Sequence, residues 1–342
     1  MTTTTDAPAE LQSDDVAAID ELRDIWHRLR SELGKVIVGQ DDVIEQLAIS
    51  LFARGHSLLM GVPGLAKTLL VSRLAETMAL SFSRIQFTPD LMPMDITGTD
   101  ILQETRDGRR EFEFVSGPVF ANIVLADEIN RAPSKTQAAM LEAMQEYRVT
   151  VVGRTYQLEP PFFVLATQNP VEQEGTYPLP EAQLDRFMFL ITVDYPSRDE
   201  EIDIAKTTTG ADLPQLDTII DPAEVLRFQQ LVRRVPVPQH IYEFAVDLVR
   251  RTRPPLPESP EWLRPLVAWG AGPRAVQYLI LGARSRAALT GSYMVCLDDV
   301  LKVSRPVLTH RVLTTFNAES EGISSNDVIQ RLLDELHDEQ KM

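Results

Sequence analysis

Apolar residues recur at helical spacing through 16–33, at Val16, Ile19, Leu22, Ile25, Trp26 and Leu29, and a second amphipathic pattern fills 40–53. The period then changes: Ser57, Leu58, Leu59 and Met60 form a short run that stops at Gly61, the pattern of a buried strand. Further strands are predicted over 84–87, 123–126, 162–167 and 188–193, with helices over 68–79 and 135–147 between them. Strands alternating with helices predict a parallel sheet. Two hairpins break this rhythm, one over 101–114 turning near Asp107 and Gly108, the other over 148–158 turning at Gly153. Such excursions are candidates for working loops.

Past Tyr195 and Pro196 the strand pattern stops. Pro222, Pro236, Pro238, Pro254, Pro255, Pro257 and Pro260 punctuate the C-terminal half, and helical patterns run over 223–235, 241–251, 274–289 and 325–336. The chain therefore divides into an N-terminal segment with a leading helix (1–35), an α/β core (36–196), a linker (197–235) and an all-helical domain (236–342). A length of 342 residues also predicts two domains.

Hydrophobic residues at 44% and charged residues at 24% are typical of folded globular proteins. Lys and Arg total 33 against 50 Asp and Glu, and a net charge of -17 repels nucleic-acid backbone and anionic lipid in the absence of a basic run, which the sequence lacks. Cys296 is the single cysteine, so no internal disulfide forms, and residues 1–10 lack the basic and apolar regions of a signal peptide. A cytoplasmic location is the expectation. The longest apolar runs are strand length, far short of the roughly 20 residues that cross a bilayer. Neither Cys296 nor the histidines show metal-ligand spacing.

Gly61, Val62, Pro63, Gly64, Leu65, Ala66, Lys67 and Thr68 fit the pattern GxxxxGK[ST] except that Ala66 stands in place of the second glycine. The run lies between a predicted strand and a predicted helix, where backbone N–H groups and a helix N-terminus surround phosphate oxygens. Lys67 would reach the β and γ oxygens, and Thr68 would hold magnesium. A left-handed conformation at Ala66 would cost about 1–2 kcal/mol. Alone, the run is also compatible with a Gly-rich turn carrying an exposed lysine.

The apolar strand at 122–126 ends in Asp127 and Glu128, two carboxylates at the carboxyl end of a strand, where open α/β sheets bind ligands. Asp127 would position magnesium, and Glu128 would orient and deprotonate the attacking water of a phosphoryl transfer to solvent. An isolated Asp-Glu pair is more often a helix cap; beside the phosphate loop the catalytic reading is favoured. The strand at 162–167 runs into Gln168 and Asn169, and Asn169 would hold the water near the γ-phosphate, although Asn before Pro170 also starts turns. Arg186 stands just before the last strand of the sheet. An arginine lent by a neighbouring subunit can neutralise transition-state charge there, while a surface ion pair with Asp185 is the plainer account.

Together these residues resemble the AAA+ superfamily, and within it the MoxR family, over about 36–311. The likeness is carried by the Ala-containing GVPGLAKT loop and by Arg84-Ile85-Gln86-Phe87-Thr88-Pro89-Asp90-Leu91-Met92-Pro93 with Asp95-Ile96-Thr97-Gly98. Ala126-Asp127-Glu128-Ile129-Asn130-Arg131-Ala132 and Ala166-Thr167-Gln168-Asn169-Pro170 are similar to the family as well. The resemblance implies a P-loop NTPase core of α/β class with hairpin insertions, a small all-α lid, and a homo-oligomeric ring, commonly a hexamer, with ATP and Mg2+ between subunits. It casts Arg186 as the arginine finger and Arg274 as the lid arginine that senses the γ-phosphate. Arg274 after Pro273 would also suit the first turn of a helix. Arg131 is a weaker candidate for the subunit interface. Val38, Gly39 and Gln40 resemble the segment that lies against adenine, and a Gly turn before a helix accounts for them equally well.

The expected mechanism is ATP hydrolysis that rotates the lid against the core and moves the hairpins, remodelling a client protein or aiding cofactor insertion. Partners carrying von Willebrand factor A domains are implied by the resemblance. A nucleic-acid motor is the main alternative, opposed by the net charge of -17. A nucleotide-gated scaffold with little turnover is a third reading, disfavoured by intact Glu128, Asn169 and Arg186.

Overall fold

The computed structural model describes residues 11–62, 64–104, 110–169, 175–209 and 214–341, with side chains described as far as residue 336. Pro63, the turn at Asp107 and Gly108, and Pro170 lie outside the described residues. In chain order the first elements are α1 (Ser13–Leu33), α2 (Asp41–Phe52), β1 (Ser57–Met60), α3 (Lys67–Thr77), β2 (Phe82–Gln86) and α4 (Pro93–Thr97). Then come β3 (Gly98–Glu104), β4 (Arg110–Ser116), β5 (Ile123–Asp127), α5 (Ser134–Glu146), β6 (Arg148–Val151), β7 (Arg154–Gln157), β8 (Phe163–Gln168), α6 (Glu181–Leu184) and β9 (Phe189–Thr192). The C-terminal part comprises α7 (Arg198–Thr208), α8 (Pro222–Arg234), α9 (Gln239–Arg251), β10 (Val267–Trp269), α10 (Pro273–Leu289), α11 (Leu297–Leu308), β11 (Leu313–Thr314), α12 (Phe316–Ser320) and α13 (Ser325–Lys341).

Five strands form one sheet in the order β2-β5-β8-β1-β9, every neighbouring pair parallel. Successive side chains of a strand point to opposite faces, and the core obeys that period of two. Ile123, Leu125, Phe163 and Leu165 join a cluster with Leu70 and Leu74 of α3. Val124, Ala126, Val164 and Ala166 join the opposite cluster with Met140, Leu141 and Met144 of α5. Because all five strands run the same way, the carboxyl ends of β1, β2, β5 and β8 share one edge. The register sets Gln86 beside Asp127 and Met60 beside Gln168.

The first of these clusters continues without a break into Ile19 and Leu22 of α1, Phe228 of α8, Leu279 of α10 and Val303 of α11. The leading helix is therefore packed into the body of the molecule. The 197–235 stretch, expected as a linker, carries α7 and α8. The Asp221 carboxylate accepts from the Glu224 amide, the Glu224 carboxylate accepts from the Asp221 amide, and Pro222 opens α8, a reciprocal cap that starts this helix sharply. The C-terminal part is not all helical, because β10 and β11 pair antiparallel. Strands of three and two residues are too short to carry an alternating pattern that sequence could reveal.

Both predicted hairpins form. β3 and β4 pair from Gly98 opposite Ser116 to Glu104 opposite Arg110, longer at each end than expected. β6 and β7 turn through Val152 at φ 48° and Gly153 at φ 78°, the doubly positive geometry that matches strand twist in two-residue turns. The hairpins touch through Phe114 and Tyr156, whose rings stack at 3.9 Å between centroids and 15° between planes.

At the other side of the sheet, Arg311 ties the C-terminal helices to the segment entering β9. Its guanidinium donates to the Asp185 carboxylate at 2.7 Å and to the carbonyls of Asp185, Phe187 and Met188. Arg274 reaches the second oxygen of the same carboxylate at 3.2 Å. Among the described residues no helix is long and apolar enough to cross a membrane.

Candidate functional site

β1 ends where Gly61 passes the end of β9. A Cβ on Gly61 would lie 2.6 Å from the Val193 carbonyl oxygen, so close backbone approach demands glycine there. Gly64 follows at φ 90°, and Ala66 adopts φ 52° and ψ 22° as it caps α3. The left-handed Ala66 is thus realised, and its cost of about 1–2 kcal/mol is strain held at a candidate site. Lys67 and Thr68 occupy the first turn of α3. The Lys67 ammonium folds back to donate to the Gly61 carbonyl. Burial lowers its pKa below the ordinary lysine value, against the opposing pull of Asp127 and Glu128.

Gln40 donates through Nε2 to the Leu65 carbonyl at 3.2 Å, tying the segment before α2 to the phosphate loop. Its Oε1 is buried without a hydrogen-bond partner. Gly39 has φ 74°, and a Cβ there would meet the Glu200 side chain at 2.4 Å.

The two carboxylates are held by different partners. Thr167, 1% exposed, donates to Asp127 Oδ1 at 2.6 Å and accepts from the Glu128 amide at 2.8 Å. Arg84 donates to the other Asp127 oxygen, Oδ2, through Nη2 at 2.6 Å and Nε at 3.0 Å. Glu128, left-handed at φ 55°, accepts at Oε2 from Gln86 at 2.9 Å and from Arg131 at 3.0 Å. Arg131, expected near a subunit interface, here touches the candidate base of its own chain.

Gly64, Leu65, Ala66, Lys67, Thr68, Asp127, Glu128, Thr167 and Asn169 line one cleft of about 360 Å³, together with Arg84. The sequence-predicted residues from three separate strand ends therefore meet. Arg186 and Arg274 do not line this cleft. They line a second one of about 340 Å³ with Arg54, Tyr147 and Tyr278, and Tyr278 donates to the Arg186 carbonyl at 3.0 Å.

Arg84, Gln86 and Thr167 lie in segments that the sequence singled out, yet their contacts with the two acids depend on which strands are neighbours. That information is absent from spacing along the chain. The donor set suits a magnesium nucleotide. Among the described residues no group of three or more His, Cys, Asp or Glu could hold a metal. Magnesium needs no such cage, since it is held by one or two protein oxygens plus phosphates and water, and Thr68 and Asp127 are the residues that would supply those oxygens. An ammonium, loop amides and a helix N-terminus stand ready for phosphate oxygens.

Comparison with known proteins agrees. Residues 56–189 match the ATPase family associated with various cellular activities (AAA), and residues 262–332 match the AAA lid domain. The chain is 47% identical over 302 residues to Chaperone MoxR1 of Mycobacterium tuberculosis, covering 88% of this chain and 79% of that protein. Protein MoxR of Methylorubrum extorquens is 33% identical, with 86% and 90% covered. The crystal structure of a Cytophaga hutchinsonii protein assigned as an ATPase superposes with a TM-score of 0.87 at 42% identity, covering 93% of this chain and 96% of that one.

Proposed function

The chain belongs to the MoxR family of AAA+ ATPases, and from that premise we propose that it hydrolyses ATP at the seams of a homo-oligomeric ring, a hexamer, to remodel client proteins. The observation that carries the reading is the meeting of Lys67, Thr68, Asp127, Glu128 and Asn169 on one cleft. The loop amides of Gly64, Leu65 and Ala66 and the Lys67 ammonium hold the β- and γ-phosphates. Gly39 and Gln40 border the base, where the unpartnered Gln40 Oε1 suits an amino donor. Thr68 and Asp127 would hold magnesium, which would supply charge neutralisation at the phosphate oxygens. Glu128 accepts the proton of the attacking water, and Asn169 orients that water.

Arg186 and Arg274 line a cleft apart from the one that holds their own phosphate loop. That separation supports a division of labour in which both arginines serve ATP bound to the adjacent subunit. The ring and the shared site then require each other.

Glu128→Gln is expected to retain ATP while abolishing turnover, and Lys67→Ala to lose binding itself. Specific activity is expected to rise with protein concentration as rings assemble. Unchanged hydrolysis in both variants overturns the site assignment. The clients we propose carry von Willebrand factor A domains, and the Glu128→Gln variant held in ATP is the bait for capturing them.

A further inference from the structure

Arg54 follows the end of α2, Arg186 precedes β9 and Arg274 lies in the first turn of α10, yet all three line one cleft of about 340 Å³. Like charges brought together repel unless an anion joins them. Neighbouring acids do not neutralise this group. Arg274 shares Asp185 with Arg311. Glu146, also on the cleft, pairs with Arg148 at 3.2 Å. Among the described residues no carboxylate pairs with Arg54 or with Arg186. The chain as a whole carries a net charge of -17, so a local surplus of cation runs against its composition.

The backbone adds a second, independent sign. Arg54 sits at φ 59° and Tyr147 at φ 51°, both left-handed without being glycine. They hold each other: the Arg54 guanidinium lies 5.9 Å from the centre of the Tyr147 ring, and the Tyr147 hydroxyl donates to the Arg54 carbonyl at 3.4 Å. Both close helices, Tyr147 at the end of α5 and Arg54 just past α2, and as non-glycine residues each costs about 1–2 kcal/mol there. The two helix ends place Arg54 and Tyr147 on the wall that carries Arg186 and Arg274.

We propose that Arg54 is a third cation acting in trans, joining Arg186 and Arg274 to receive the terminal phosphates of ATP bound by the neighbouring subunit. The proposal rests on the reading of Arg186 and Arg274 given above. It predicts a role that neither the phosphate-loop pattern nor the family match assigns to this position.

Arg54→Gly is the informative variant, because glycine adopts φ 59° without strain and keeps the carbonyl that Tyr147 donates to, and an unfolding midpoint measured beside its activity separates a lost cation from a weakened fold. Its kcat is expected to fall about tenfold while affinity for a fluorescent ATP analogue in its own cleft is unchanged, and Arg54→Lys is expected to keep most of the rate. Mixing Arg54→Gly with Lys67→Ala should restore turnover, since the second variant still lends Arg54 to its neighbour. Arg186→Ala mixed with Lys67→Ala is the parallel control. Rescue of Arg186→Ala but not of Arg54→Gly overturns the role of Arg54 alone. Rescue of neither overturns the shared site as well. An Arg54→Gly protein with full kcat overturns the proposal outright.

Discussion

Thr167 stands between the two acids of the candidate site, its hydroxyl donating to Asp127 at 2.6 Å while its oxygen accepts the Glu128 amide at 2.8 Å. One buried hydroxyl therefore sets the rotamer of the Asp127 carboxylate and the backbone of the candidate base. Thr167→Val keeps the shape and removes both bonds. Turnover is expected to fall about 10–100-fold, as for other partners of metal-ligating groups, and half-maximal activity to need more Mg2+. A steady-state Mg2+ titration of the variant checks this; an unaltered Mg2+ dependence speaks against the assignment.

Ala66 and Gly61 look alike as small loop residues and differ in cause. Ala66 holds a left-handed backbone, so Ala66→Gly is expected to raise stability by a net of roughly 0.5–1 kcal/mol, the strain relieved being partly offset by a looser unfolded chain. Gly61 is constrained by the Val193 carbonyl, so Gly61→Ala is expected to lower stability by about 1–3 kcal/mol and to weaken ATP binding. Denaturant midpoints of the two variants should move in opposite directions.

The phosphate loop and the Asp127-Glu128 pair were legible because each is local: a short apolar strand followed directly by its chemistry. The contacts of Arg84 on Asp127 and of Gln86 on Glu128 were not, since only the β2–β5 pairing brings them together. Arg186 and Arg274 were found as residues, but the cleft they face depends on how the whole C-terminal part packs. Likewise, α8 was legible as a helix while its burial was not. A proline-punctuated stretch reads as a connection whether or not an apolar face such as Val225, Phe228 and Val232 meets a core.

His56 is buried and kept neutral, with a pKa lowered to about 4 by burial. Its Nδ1 accepts from the Val164 amide at 3.0 Å, which leaves Nε2 to donate to the Met144 carbonyl at 3.0 Å. A folded pKa below the ordinary 6.5 means the unfolded chain binds more protons between these values. The contribution is whole above pH 6.5 and is lost as pH falls toward 4, a total on the order of 3 kcal/mol. His310, also lowered by burial, acts in the same direction. Urea unfolding across this range is expected to show stability declining with acid, less steeply for His56→Gln.

Phe114 and Tyr156 couple two hairpins that are distant in sequence. A double-mutant cycle with Phe114→Leu and Tyr156→Leu is expected to give an interaction energy of about 0.5–1.5 kcal/mol. Additive effects in thermal or denaturant unfolding would mean that the hairpins are energetically separate.

Arg311 gives the C-terminal helices the character of a strut. Its one guanidinium grips the carboxylate and carbonyl of Asp185 and the carbonyls of Phe187 and Met188, on either side of Arg186. A flap that swung freely on the sheet would tear these bonds and leave a buried charge stranded. Braced in this way the subunit would pivot as a single lever, and in the ring proposed above the give would belong to the joints between levers.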